Sequence, residues 1–136
     1  WYLKWDPQEI YYYATENCGY KPDTERTDGT YGRYSGIDDK FEWLHYYTHY
    51  IKFGIGRATS DAAHEIRDGH ITREEGIQLV EKFDHEIPSN SMQTTLNYLN
   101  ISEENLNQIT DAFRDRNNNL WRKTNEDWEL KHAVYK

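Results

Sequence analysis

Between Tyr50 and Gly76 the chain reads YIKFGIGRATSDAAHEIRDGHITREEG, and its glycines dictate where one helix must stop and the next must start. Gly54 and Gly56 flank Ile55 and can take backbone angles closed to other residues, so the main chain can turn sharply, or approach a ligand closely, just before Arg57. At 3.6 residues per turn, Ala58, Ala62, Ala63 and Ile66 then form a narrow apolar stripe, with Arg57, Asp61, His64, Glu65 and Asp68 on the opposite side. Small residues on the stripe predict close packing against a neighbour. Gly69 stands where a left-handed helix cap is wanted, and Thr72 to Glu75 reads as a capping box that opens the next helix. Gly76 takes the place where a hydrophobic staple would meet Ile71, which again points to close backbone packing.

Outside this stretch the same rules give further elements. Asp6-Pro7-Gln8-Glu9 supplies an N-cap, a proline at the first helical position and a capping glutamate, predicting a helix to about Asn17 with Ile10, Tyr13 and Ala14 at helical spacing. Gly19 and Pro22 end it, and 21–36 is a long polar loop punctuated by Asp28-Gly29 and Ser35-Gly36. A loop of that length carries function or disorder, and its Tyr31, Arg33 and Tyr34 either contact a ligand or pin the loop to the core. A second helix is expected from Asp38, with Phe41, Leu44, Thr48, Ile51 and Ile55 on one face and Trp43, Tyr46, Tyr47, Tyr50 and Phe53 over the rest, making it the buried centre.

The helix after Thr72 uses Ile77, Val80 and Phe83 and ends near Asp84; a break at Ile87-Pro88-Ser89-Asn90 follows. A short helix carries Met92, Leu96 and Leu99. Ile101 before Ser102 staples to Leu106, and Ile109 and Phe113 continue that stripe. Trp128, Leu130, His132 and Val134 alternate with Glu129, Lys131 and Ala133, so 120–123 and 128–134 read as a terminal hairpin. The expectation is a mainly α fold, a small helical domain of five to six helices with a short C-terminal β-hairpin.

Composition narrows the function. Hydrophobic residues make up 36% of 136, which allows a modest core, but 12 Tyr, 5 Trp and 4 Phe supply large buriable surfaces and exclude disorder. A net charge of −8 without any Lys or Arg stripe argues against a nucleic-acid binder, and no apolar run approaches a membrane span. Without a signal peptide, a cytoplasmic location is expected. The single cysteine, Cys18, falls at a helix C-terminus where the dipole opposes a thiolate, so a small packed side chain is favoured over a nucleophile. His45 and His49 share a helix face, but a zinc site needs a third ligand, and the other histidines follow no metal pattern. No metal is expected.

Arg57, Arg67, Lys52 and Lys40 are candidate anion-binding groups, and Asp39, Asp61 and Glu65 candidate bases or orienting carboxylates. Arg57 stands out, because at a helix start its guanidinium sits beside backbone amides that are free to help hold a phosphate or carboxylate. The competing account is an ion pair with Asp61 one turn on.

Several long stretches carry a family likeness: YLKWDP at Tyr2 to Pro7, ERTDGTYGRYSGIDDKF at Glu25 to Phe41, HYYTHYIKFGIGRATSDAAHEIRDGHITREEG at His45 to Gly76, then LW and WELKHAVY near the end. In this order they resemble the C-terminal region of the N-acetyl sugar amidotransferases of lipopolysaccharide and nonulosonic acid biosynthesis. The resemblance implies an ATP-pyrophosphatase-like enzyme. Such an enzyme adenylates the N-acetyl oxygen of a nucleotide-activated sugar, using ATP and Mg, and ammonia from a separate glutaminase subunit then displaces AMP to leave an acetamidino group. The Ser-Gly-Gly-x-Asp-Ser type loop of that superfamily and the family's zinc-ligand cysteines are both missing here. The chain is therefore expected to be a single C-terminal helical domain over 1–136, inactive alone, with the ATP-pyrophosphatase domain absent; its abrupt start at Trp1 fits a fragment.

Lys52, Arg57, Asp61, Arg67 and the Tyr34 to Lys40 loop, including Asp39, match stretches typical of the family and are the candidate substrate-binding residues. The alternative is a non-catalytic module for homo-oligomerisation or glutaminase docking through exposed aromatics such as Trp1, Trp5 and Trp121. A free-standing regulatory domain is the third reading.

Overall fold

A computed structural model describes residues 2–87, 89, 91–125 and 127–136. The expected Trp1 contact and the Pro88 and Asn90 part of the predicted break fall outside them. Six helices and two strands follow one another along the described chain: α1 (Pro7–Asn17), α2 (Glu42–Phe53), α3 (Arg57–Asp68), α4 (Arg73–Phe83), α5 (Met92–Leu99), α6 (Glu103–Arg116), β1 (Trp121–Lys123) and β2 (Trp128–Leu130). The mainly α fold with a terminal hairpin is as expected.

Local signals set most boundaries. Asp6 Oδ1 accepts from the Glu9 amide at 3.2 Å with Pro7 at the first helical position, starting α1. Thr72 and Glu75 form the reciprocal capping box of α4, and Ser102 and Asn105 do the same for α6. Gly54 (φ 72°) and Gly69 (φ 86°) close α2 and α3 in the left-handed conformation.

The core has two parts. Trp43, Tyr47 and Ile51 of α2 pack with Leu96 and Leu106, and Ile101 is packed against the same cluster. Tyr50 packs with Trp121 and Leu130 of the hairpin, whose strands pair antiparallel with Trp121 opposite Leu130. Helix α2 is thus the shared centre. Where α3 meets α4, a Cβ on Gly76 would stand 2.6 Å from Ile66 Cδ1, so glycine lets the two helices meet here without the Ile66 side chain having to shift.

Several expectations need correction. Helix α2 starts at Glu42, not Asp38, because the Asp39 carboxylate takes the Phe41 amide at 2.8 Å and holds 38–41 in a turn. Ile55 lies beyond the helix and is 45% exposed, since Gly54 has already ended it. The apolar spacing of α1 faces outward: Ile10 and Tyr13 are exposed and the helix buries no residue. Ala63, Leu99, Ile109 and Phe113 are exposed too, their stripes only partly covered. Cys18 is exposed rather than packed. Strand β1 begins at Trp121 and β2 ends at Leu130, with the chain turning after it. Trp121, offered as a docking aromatic, is 3% exposed and belongs to the core; Trp5 is 68% exposed.

The long 18–41 loop is ordered by side chains from distant elements. Arg26 grips Glu86 with two hydrogen bonds, at 2.5 and 2.7 Å, and Glu86 also accepts from the Gly29 amide at 2.9 Å. Tyr34 stacks on Tyr11 of α1 at 4.6 Å, and the Tyr20 hydroxyl donates to the Tyr34 carbonyl at 3.0 Å. These contacts lay the loop between α1 and α3.

Candidate functional site

The polar side of α3, the start of α1 and the 31–34 part of the loop enclose a cleft of about 280 Å³ lined by Asp6, Gln8, Tyr34, Arg57, Asp61, His64, Glu65, Asp68 and His70 among others. A second hollow of about 500 Å³ shares Gln8, Tyr34, Asp61, Glu65 and His70 with it and adds Tyr11, Tyr12, Tyr31 and Arg33. The helical periodicity of 57–68 explains the wall: with the alanine side turned to α4, the charged side is left facing the loop.

Arg57 is held on three sides. Its Nε donates to Asp61 Oδ1 at 2.8 Å, one terminal nitrogen to the Tyr46 hydroxyl at 2.6 Å and the other to Ser35 Oγ at 3.1 Å. Asp61 in turn accepts from the fully buried Thr30 hydroxyl at 2.6 Å, and Tyr46 donates onward to Glu42. Of the two accounts of Arg57, the ion pair is formed. Burial works against the guanidinium charge, yet Asp61, Tyr46 and Glu42 outweigh it and raise the pKa.

Three of the amides expected to be free beside Arg57 are taken. Gly56 donates to Asp84 Oδ2 and Thr59 to Asp84 Oδ1, each at 2.8 Å, while the Ala58 amide donates to the Gly29 carbonyl at 3.1 Å. The chain's own carboxylate fills the place of an anion at the head of α3. The extended Gly56 (φ −106°) is required by this contact, since a Cβ there would lie 2.7 Å from both Asp84 O and Oδ1.

Two polar atoms of the wall are buried without a hydrogen-bond partner: Asp68 Oδ2, on a side chain 6% exposed, and the Tyr31 hydroxyl, which faces Glu65 outside hydrogen-bond geometry. Burial raises the Glu65 pKa and Asp61 adds to this, with Tyr31 and His70 opposing. Burial, then Asp61 and Glu65, push Tyr34 up to about 12 against the pull of Arg57.

Of the sequence candidates, Tyr34, Arg57, Asp61 and Glu65 share the cleft. Arg67 stands beside it, 2.7 Å from His64 Nδ1. Lys52 lies with His45 and His49 along an apolar groove formed by α2 and α6, and Asp39 and Lys40 occupy the exposed turn before α2. His49 Nδ1 is 2.8 Å from the Ile55 carbonyl, and among the described residues no group of three or more His, Cys, Asp or Glu is placed to hold a metal. Sequence reasoning missed Asp6, Gln8 and His70 at the cleft; the Asp6 cap signal was visible, but its partner 64 residues away was not.

His70 Nε2 lies 3.0 Å from Asp6 Oδ1, tying the start of α1 to the α3–α4 turn. Burial tends to raise the Asp6 pKa, but His70, the Glu9 amide and Lys4 outweigh it and hold it at about 2. The hydrogen bond to Asp6 raises His70 above its usual 6.5, with burial opposing and Asp6 and Glu65 adding charge. The His70 contribution is complete below pH 6.5 and is lost as pH climbs through its raised pKa, whereas that of Asp6 is complete above 3.8 and is lost as pH falls towards 2. The melting-temperature gap between the wild type and His70→Ala should therefore be widest between pH 3.8 and 6.5 and narrow on both sides. A gap that stays flat across pH would refute this linkage.

The family described as LPS biosynthesis protein WbpG-like, C-terminal domain, matches residues 28–135, which covers the loop from Asp28 on, α2 to α6 and the hairpin but not α1. No curated protein matches the chain. Among the described residues no helix is long and apolar enough to cross a membrane.

Proposed function

The chain belongs to the WbpG-like C-terminal domain family of lipopolysaccharide biosynthesis proteins, and from that footing we propose that it is the sugar-handling domain of an ATP-dependent N-acetyl sugar amidotransferase. The observation that carries the reading within this chain is the cleft. Its Gln8, Glu65 and Tyr34 side chains offer hydrogen-bonding groups beside aromatic faces, the groups that hold a sugar's hydroxyls and ring. The amidotransferase chemistry rests on the resemblance of the motif-bearing stretches.

In this reading ATP serves to activate the N-acetyl oxygen, and a separate glutaminase subunit delivers the ammonia that replaces it. The residues here do not fit the phosphates of ATP. Asp84 already occupies the head of α3, and Arg57 is committed to Asp61, Tyr46 and Ser35. ATP and magnesium are assigned to a part of the enzyme outside these residues.

What this domain contributes is position. Tyr34, Arg57 and Asp61 come from two elements locked by one hydrogen-bond network, so the wall is preorganised for a bound ring. Arg67, Lys52, Asp39 and Lys40 lie outside the cleft lining, and we assign them at most to the outer parts of the sugar nucleotide.

The test is an assay of the complete enzyme with ATP, ammonium and a nucleotide-activated N-acetyl sugar, following AMP release. Glu65→Gln preserves shape and removes a charge, and is expected to lower kcat/KM for the sugar nucleotide by about tenfold or more. Absence of sugar-dependent AMP release would sink the reaction class. Unchanged kcat/KM in the variant would remove the cleft from the site.

A further inference from the structure

We infer that α1 is a lid on the cleft, one that lifts about the 18–22 connection while the rest of the fold stays intact. Its position is that of a cover. Trp5 and Asp6 before the helix and Gln8 in its first turn line the smaller hollow, while Gln8, Tyr11 and Tyr12 line the larger one. With α1 raised, both hollows lose a wall.

Little apolar packing holds the lid down. None of the 11 residues of α1 is buried, and neither core cluster includes one of them. Lifting the helix therefore exposes little new apolar surface, the condition under which one element opens well below the free energy of global unfolding. The fastenings are polar or aromatic and lie at two places. At the head of the helix His70 Nε2 is 3.0 Å from Asp6 Oδ1, and Lys4 Nζ is 3.8 Å from Asp68 Oδ1. Farther along they converge on Tyr34, whose ring stacks on Tyr11 at 4.6 Å and whose hydroxyl donates to Gln8 Oε1 at 3.1 Å. Two carboxylates lie buried at this seam, Asp6 at 7% and Asp68 at 6% side-chain exposure, and Asp68 Oδ2 has no hydrogen-bond partner. Their return to water offsets part of what opening loses.

The pivot is lightly braced as well. Gly19 is left-handed (φ 69°), and a Cβ placed on it would meet nothing within 4 Å, so open space surrounds the joint. Cys18 beside it is exposed, and the chain is anchored again at Asp23, whose amide donates to the Arg33 carbonyl at 2.9 Å. The wall formed by α3 cannot follow. Its Ala62 is buried beside Gly76 of α4, and its Asp61 accepts from the buried Thr30 hydroxyl. One fixed wall and one loosely pinned wall make a gate, and this concerns access to the cleft whichever ligand the cleft takes.

The test follows one opening by two measurements in the 136-residue chain. By NMR amide exchange, α1 is expected to be about a hundredfold or more less protected than Tyr47 to Ile51 of α2, and nearly insensitive to low urea where α2 is not. The second measurement is labelling of the thiol of Asp68→Cys in a Cys18→Ser background, a thiol covered while the lid is shut. His70→Ala removes the head fastening and should speed both α1 exchange and labelling by about tenfold. Tyr11→Ala removes the stack on Tyr34 from a hollow that does not include Asp68, and should speed both by about fivefold. Alanine is also the better helix former, so simple fraying of α1 would slow in this variant while lifting accelerates.

Equal protection and urea dependence in α1 and α2 would overturn the lid. So would labelling that stays constant in Tyr11→Ala while α1 exchange rises, because α1 would then be a fraying end that guards nothing. If Asp68→Cys does not fold, slower or unchanged α1 exchange in Tyr11→Ala overturns the inference and faster exchange upholds it.

Discussion

Replacing Trp121 with alanine is expected to destabilise the chain by about 3–5 kcal/mol in urea unfolding, the cost typical of removing a fully packed tryptophan. The side chain is 3% exposed, meets Tyr50 edge-on at 5.4 Å and lies under the Arg114 guanidinium at 5.2 Å. It also repairs a helix end. Gly54 terminates α2 before the last carbonyls find intrahelical partners, and Trp121 Nε1 donates to the Ile51 carbonyl at 2.8 Å while Asn117 Nδ2 donates to that of Lys52 at 2.9 Å. Trp121→Phe keeps most of the packing and loses the donor, so it should cost about 1–2 kcal/mol. A loss below about 1 kcal/mol for the alanine variant would mean that the hairpin is not fastened to α2.

The same residue shows what was legible in the sequence and what was not. The alternation from Trp128 predicted a hairpin, and two strands alone are marginal, so their tryptophans had to cover something. That Trp121 covers the end of α2, 70 residues back, follows from tertiary packing that no local pattern encodes. The caps at Asp6, Thr72 and Ser102 were readable because donor and acceptor lie within three residues of each other. The start of α2 was misread since Asp38 and Asp39 carry the same cap signal, and the Asp39 side chain uses it to hold a turn instead. For the cleft, helical spacing put Arg57, Asp61, Glu65 and Asp68 on one face, and the structure adds what closes it: α1, brought in by Asp6 and His70, and a loop pinned by Arg26 and Glu86.

The glycine pair was read as a place where a ligand comes close to the main chain, and the close approach is there, made by the protein itself. A backbone that admits no side chain and a helix head rich in donors look the same in sequence whether the acceptor is a phosphate or a carboxylate 28 residues further on. The filled helix head moves the weight of the site two to three turns along α3, towards Glu65 and Asp68.

Asp84→Ala should consequently unfold the site rather than open it, at a cost of about 2–4 kcal/mol. Asp84 is 6% exposed, and besides the Gly56 and Thr59 amides it accepts from the Thr59 hydroxyl at 2.8 Å. Alanine would strand these donors at the positive end of α3, the Gly56 amide among them being buried. Asp84→Asn retains one acceptor oxygen and should lose about half as much. Gly56→Ala attacks the same joint from the other side, because its Cβ would collide with the Asp84 backbone oxygen at 2.7 Å, which cannot swing away as a flexible side chain would. Both variants break one contact, so the double variant should cost clearly less than the two single losses added together. Full additivity would show that Gly56 and Asp84 act separately. A stable Asp84→Ala chain that gained affinity for inorganic phosphate would restore the helix head as an anion site.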